Sequence, residues 1–304
     1  MLAVMAARVP RSAWCPLLAT LLAVAGCSAP RAPFAQLSGV ILDTRLSDLS
    51  GLAASRVHPD VVWLLNDGGN PPDLYAVGNR GGVQATFRIA GVANTDWEDL
   101  AAFELHRRHY LLIADTGDNG GLRRTLQLHV VEEPRLLADG VLHPAWSIAF
   151  RWPDGPRDCE AVAVDAARGE ILLVSKRRRP PEVFVLPLQP TQPGLQVARR
   201  IGSLAGVPSS QSRANAYQAD RVRDQVTAAD LSPDGRTLAV LTYREVLLYP
   251  RRGGQSWTQA LAGRPRVHPL TWLPQAEALG WSADGGSLYA TGEHSPAPLL
   301  LLNP

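Results

Sequence analysis

Three glutamates, Glu98, Glu160 and Glu277, each head a short run of small and apolar residues, and similar runs begin at Ser50 and Thr227. About sixteen positions after each head comes another polar group: Asn66 with Asp67, Asp115, Lys176, Tyr243 with Arg244, and Glu293. Carboxylates crowded together raise one another's pKa unless a cation or basic side chain stands between them. Lys176 is the only lysine in the chain, and with Arg244 it can neutralise only part of such a group. A hard cation, Ca2+ or Mg2+, held by oxygen ligands would neutralise more. The expected metal ligands are Glu98, Glu160 and Glu277. Asn66, Asp67, Asp115, Asn119, Lys176, Arg244 and Glu293 are expected to line a site for a cation or small polar ligand. The segment Asp115–Gly121 adds oxygen donors, but its spacing is not that of an EF-hand loop. The competing reading is structural: acids beside strand starts accept backbone N–H groups or pair with arginines of a neighbouring unit. Asp96 and Asp99 fit that reading best.

Only a repeating fold brings these heads together. Each is followed by a first strand, a turn, and a second strand at Val61–Leu65, Tyr110–Ala114, Ile171–Val174, Leu238–Leu241 or Leu288–Thr291. Third strands follow at Leu74–Val77, Leu126–Val131, Val183–Leu188, Val246–Tyr249 and Pro298–Leu302. Outer strands are expected at Val83–Ile89, Trp146–Arg151, Val197–Leu204 and Arg266–Trp272. Four short antiparallel strands per unit, recurring at about 50 residues, spell the blades of a β-propeller. The fold expected is all-β, a single propeller over 37–304 with five blades. A sixth hidden in 189–225 is the alternative. The last unit lacks an outer strand, and Leu37–Leu42, ahead of the first unit, is expected to supply it. Antiparallel pairing then sets the start of each first strand beside the end of the second, at one mouth of the central channel.

Leu231-Ser232-Pro233-Asp234-Gly235 resembles the turn signature of TolB-like and WD-repeat-like propellers, and Trp281-Ser282-Ala283-Asp284-Gly285 is a weaker copy. Asp96-Trp97-Glu98-Asp99-Leu100-Ala101, followed by Ala114-Asp115-Thr116-Gly117-Asp118-Asn119, resembles the DWEDLA and GDIGDN segments of a family of exported bacterial propellers. Ala114 and Thr116 replace the first Gly and the Ile of the second segment. The resemblance covers roughly residues 46–300 and implies fold and export; it carries no settled activity.

Arg8 and Arg11 precede an apolar run from Ala13 to Gly26 that ends at Cys27. The run is shorter than the 20 or so residues that cross a bilayer and suits a signal peptide. Val24-Ala25-Gly26-Cys27 resembles the lipobox of bacterial lipoproteins, which implies removal of residues 1–26, lipidation of Cys27 and a tether over 27–36. Ser28 in place of aspartate points to the outer membrane, with the domain facing the periplasm. Processing would leave Cys159 as a single buried thiol, and three cysteines in all cannot build a disulfide framework.

The 304 residues carry 30 basic and 28 acidic side chains, a balance that gives no field to collect nucleic acid. The basic run Lys176–Arg179 is read as a solvated loop with Lys176 turned inward. No nucleophile elbow, His-Glu-x-x-His helix, P-loop or dinucleotide fingerprint occurs. The functional reading is an envelope-anchored binding protein. The first alternative is a metal-dependent hydrolase resembling phytase- or lactonase-type propellers, with Asp115 or Asp118 as base and Lys176 stabilising developing negative charge. The second is an assembly scaffold for other envelope proteins. Catalysis itself is left open by the residues.

Overall fold

The computed structural model describes residues 33–207, 222–270 and 273–304. The expected signal segment 1–26, Cys27, most of its tether, Thr271, Trp272 and the centre of the stretch 189–225 lie outside the described residues. The apolar runs form strands that assemble into five sheets, the blades of a propeller. β1 (Ala35–Ile41) belongs to the last of them. The first blade is β2 (Leu49–Ala54), β3 (Val61–Asn66), β4 (Asp73–Gly78) and β5 (Val83–Ile89). The second is β6 (Trp97–Leu105), β7 (Arg108–Asp115), β8 (Leu126–Glu132) and, after β9 (Gly140–Leu142), the outer strand β10 (Pro144–Arg151). The third is β11 (Cys159–Asp165), β12 (Glu170–Ser175), β13 (Glu182–Pro187) and, after β14 (Gln196–Val197), β15 (Arg199–Ser203).

The fourth blade is β16 (Val226–Leu231), β17 (Thr237–Thr242), β18 (Glu245–Pro250) and β19 (Arg266–Pro269), with α1 (Trp257–Leu261) in the last connection. The fifth is β20 (Ala276–Trp281), β21 (Leu288–Gly292) and β22 (Ala297–Leu302), completed on its outer edge by β1. Ala35 of β1 pairs with Leu302 and Ile41 with Ala297, so the two ends of the chain close the ring. The closing strand begins at Ala35, two residues earlier than the expected Leu37. Two short strands are additions that the pattern did not announce. β9 pairs in parallel with β5 and β14 with β10, so the second and third blades each cover the outer edge of the blade before. Exposed edges invite pairing with other chains, and these strands cap two of them.

The core is divided. Each pair of neighbouring blades encloses its own apolar cluster, such as Phe150, Trp152 and Phe184 between the second and third, and Trp63, Phe87 and Trp97 between the first and second. The five innermost strands β2, β6, β11, β16 and β20 each touch the next around the axis. Crowding there explains their small residues. A Cβ on Gly280 would stand 2.9 Å from the Leu52 carbonyl oxygen of the adjoining blade. Among the described residues no helix is long and apolar enough to cross a membrane.

Two buried carboxylates pin the axis. Asp99 is completely enclosed and accepts the N–H groups of Leu100 (2.8 Å), Val162 (2.8 Å) and Ala229 (3.2 Å), tying the second blade to the third and fourth. Asp230 accepts from Leu231 (2.9 Å) and Trp281 (2.7 Å), tying the fourth blade to the fifth. Burial pushes Asp99 well above the usual carboxylate range and Asp230 up to about 7, against N–H donors that favour the charged form. The structural reading of Asp99 is what its partners show. Buried donors left without an acceptor cost about 1–3 kcal/mol each. Asp99→Ala is therefore expected to lower unfolding stability in urea by about 3 kcal/mol or more, and Asp234→Ala, on an exposed turn, by less than about 1 kcal/mol.

Candidate functional site

One irregularity, repeated in every blade, builds the mouth of the channel. Leu49 pairs with Asn66, Trp97 with Asp115, Cys159 with Ser175, Val226 with Thr242 and Ala276 with Gly292. Immediately after each of these pairs the register slips by one residue on the first strand. The residues left over are Ser50, Glu98, Glu160, Thr227 and Glu277, the five heads of the sequence repeat. A bulge leaves its extra residue outside the ladder and re-aims its side chain. The same device thus presents five polar groups at one end of the axis.

Four of them line a cavity of about 180 Å3 with Asp67, Asn119, Lys176, Tyr243 and Glu293. The fifth, Thr227, donates its hydroxyl to the carbonyl of Ala276 (2.7 Å) and links the fourth blade to the fifth. Ser50 makes the equivalent link from the first blade to the Glu98 carbonyl (2.7 Å) and also reaches the Glu98 carboxylate (3.2 Å).

The charge in this well is unevenly shared. Lys176 pairs with Glu160, both side chains nearly enclosed, and its Nζ lies 5.6 Å from the centre of the Tyr243 ring. The Tyr243 hydroxyl donates to Glu277 at 2.7 Å. Burial works against the Lys176 charge, but Glu160 and Glu277 outweigh it and hold the ammonium protonated. Glu98, Asp158 and Glu160 offer oxygens within 4.8 Å of one another, and here the protein supplies its own cations, Lys176 on Glu160 and Arg177 on Asp158 (3.2 Å).

Among the described residues the other half of the well has no such paired cation. Asp67, Asp96 and Glu98 also bring oxygens within 4.8 Å of one another. Among the described residues no basic side chain pairs with any of the three. Glu98 is 2% exposed and its Oε1 is buried without a hydrogen-bond partner. Two glycines make room for this group. A Cβ on Gly68 or on Gly117 would come within 2.5 Å of the Asp96 carboxylate, and one on Gly117 would also collide with Glu98 Oε1. Burial raises Asp67 to about 6 and Glu277 to about 7, with Asp96 adding to the first effect and Lys176 opposing the second. Glu98 and Glu160 are pushed well above the carboxylate range, chiefly by burial and then, for Glu98, by the Glu160 charge. Burial and like charges favour the protonated forms of these carboxylates, and a cation bound among them would compete with the proton.

Several expected residues stand apart from the cavity. Asp115 is paired with Arg123 at 2.6 Å and also accepts the Asp96 N–H. Asp118 caps its own loop, accepting from Leu122 (2.7 Å) and Arg123 (3.1 Å). Arg244 faces Asp224 (3.5 Å) and Glu245 (3.4 Å), and the Asn66 amide donates to the Arg45 carbonyl (2.6 Å). None of these four lines the well. Asn119 does, steadied from outside by Arg177. Asp96, read from the sequence as structural, is a member of the cation-free cluster. Asp96 precedes β6 and Glu98 is the bulged residue, so strand alternation carries no signal for their meeting. Neither the bulges nor Gly117 could be seen without pairing.

No known family model matches the chain, and no curated protein matches it.

Removing the single lysine tests the charge balance. Lys176→Met is expected to cost roughly 3–5 kcal/mol at pH 8, where Glu160 is left buried and uncompensated, and less at pH 5.5, where protons take its place. Urea unfolding at the two pH values checks this. Asp67 and Glu277 have folded pKa values above the ordinary carboxylate value near 4. The folded state therefore binds more protons than the unfolded state between about pH 4 and 7. Their contribution is fully favourable below that window and is lost as pH rises through it. The melting temperature of cation-free protein is expected to fall between pH 5 and 8, and a divalent cation to stabilise more at pH 8 than at pH 5.5.

Proposed function

We propose that this chain is an exported lipoprotein whose propeller binds a hard divalent cation, Ca2+ or Mg2+, at its acidic mouth. Asp67, Asp96 and Glu98 would supply the ligands. The observation that carries the reading is Glu98: a buried carboxylate with an unpartnered oxygen, beside two further carboxylates that, among the described residues, no basic side chain pairs with. A buried charge without a partner is costly, and oxygen-ligated cations answer that cost. Asn119 on the cavity wall and water would complete the six to eight oxygens that Ca2+ takes. Mg2+ demands stricter geometry and gives up its water reluctantly, so Ca2+ is the expected preference.

The two segments that resemble the exported propellers meet at this cluster. Asp96 and Glu98 come from the first and Gly117 from the second. That convergence supports both the resemblance to the exported propellers and a functional rather than ornamental role for the motifs. The lipobox-like Val24–Cys27 and the basic, apolar segment before it support export and anchoring by Cys27.

Binding is better supported than hydrolysis. The two carboxylates considered as bases are occupied, Asp115 by Arg123 and Asp118 by its own loop, and Lys176 is held by Glu160. Calorimetry and thermal unfolding of the purified protein with Ca2+ and Mg2+ decide the matter. Saturable stabilisation is expected, near 2.7 kcal/mol at a hundredfold excess over Kd, with at least a tenfold loss of affinity in Glu98→Gln and Asp67→Asn. Absence of any response in the unmodified protein would sink the cation site and leave the scaffold reading.

A further inference from the structure

The opposite end of the channel holds a larger cavity, of about 680 Å3. It is lined where the innermost strands end: Phe103 and Leu105 of β6, Asp165 of β11, Leu231 of β16, Arg56 beyond β2 and Ala283 beyond β20. Buried Asp99 and Asp230 lie between it and the acidic well. Cavities of 300–1,000 Å3 or so are the size that small ligands occupy.

Arg56 sets its chemistry. The guanidinium donates to the carbonyls of Ala283 (3.2 Å) and Ala102 (3.4 Å), on the fifth and second blades. Among the described residues the guanidinium makes no ion pair, although its charge favours the ionised form of buried Asp230. Arginine stays charged at any physiological pH and presents a fork suited to oxyanions. A second guanidinium, that of Arg251, is already balanced by Asp165 (2.9 Å) and lies over the Trp257 ring at 4.3 Å. At the rim Asp234 takes the Ser232 hydroxyl (2.6 Å), and Glu104 faces solvent.

The β6–β7 hairpin supplies the second, independent observation. Its strands have nine and eight residues, longer than any other innermost pair, and its turn reaches the cavity. The turn residues are His106 and Arg107, with φ of 51° and 63°. That conformation favours Asn-Gly, and bulky residues hold it only under strain. The sequence places His106, Arg107, Arg108 and His109 at the tip in spite of that strain. His106 and His109 line the cavity, and Nδ1 of His109 is buried without a hydrogen-bond partner.

We propose that this cavity binds an amphiphilic oxyanion, its anionic head against Arg56 and the two imidazoles and its apolar body along Phe103, Leu105 and Leu231. Calorimetry with dodecyl phosphate below its micelle concentration tests this, beside inorganic phosphate and uncharged dodecyl maltoside. Dodecyl phosphate is expected to bind at one site at least tenfold more tightly than either. Arg56→Gln, and Ala167→Trp on the exposed wall, should each weaken it tenfold or more. His106→Asn with Arg107→Gly should raise the melting temperature while weakening the same binding. Equal binding of dodecyl maltoside, or unchanged affinity in Ala167→Trp, overturns the proposal. Thermal unfolding identifies a variant that fails to fold, and the Ala167→Trp result then stands alone.

Discussion

Five strands meeting at an axis leave little room for side chains and little for water, so an ionisable group placed there is costly unless it finds a partner. This scarcity governs the molecule. Along most of the axis it is met by alanine and glycine, and where charge is retained it is satisfied in specific ways. Asp99 and Asp230 use backbone N–H groups from neighbouring blades. Glu160 uses the only lysine. Glu98 alone among these is left with an oxygen unmatched. The contrast separates carboxylates that hold the ring together from those that wait on something outside it. Because the low dielectric strengthens matched and mismatched contacts alike, the difference between them is large.

The bulges turn this scarcity into a site. A regular first strand would direct alternate residues to opposite faces and leave its head within the ladder. Slipping the register once, at the same place in all five blades, frees one residue per blade without disturbing the pairing that follows. The blades then differ only in what they place at that position. Serine and threonine fasten one blade to the next, while the glutamates face inward.

Much of this was legible in the residues. Strand boundaries, five units, the shared phase and the closing strand all follow from where apolar runs and turns recur, because pleated strands and tight turns tolerate few alternatives. Glu98, Glu160, Glu277, Lys176 and Glu293 line one cavity for the same reason. What the sequence withheld depends on pairing between segments remote along the chain. Asp115 and Arg244 sit at the expected strand ends, yet Arg123 and Asp224 draw their side chains elsewhere. Asp96 lies in a loop and depends on Gly68 and Gly117 for its place. The added strands β9 and β14 are three and two residues long and leave no periodic trace.

The joining of β1 to β22 governs when this protein becomes itself. Four blades can form as the chain is delivered, each from residues close in sequence. The fifth needs the earliest strand and the latest at once, a contact of very high sequence separation that comes late by its entropic cost. Until β22 meets β1, the circle is an open crescent with an unguarded gap between its ends. A chain without β22 would keep nearly all its local structure and still never shut. The clasp thereby makes the pairing of β1 with β22 a condition of closure.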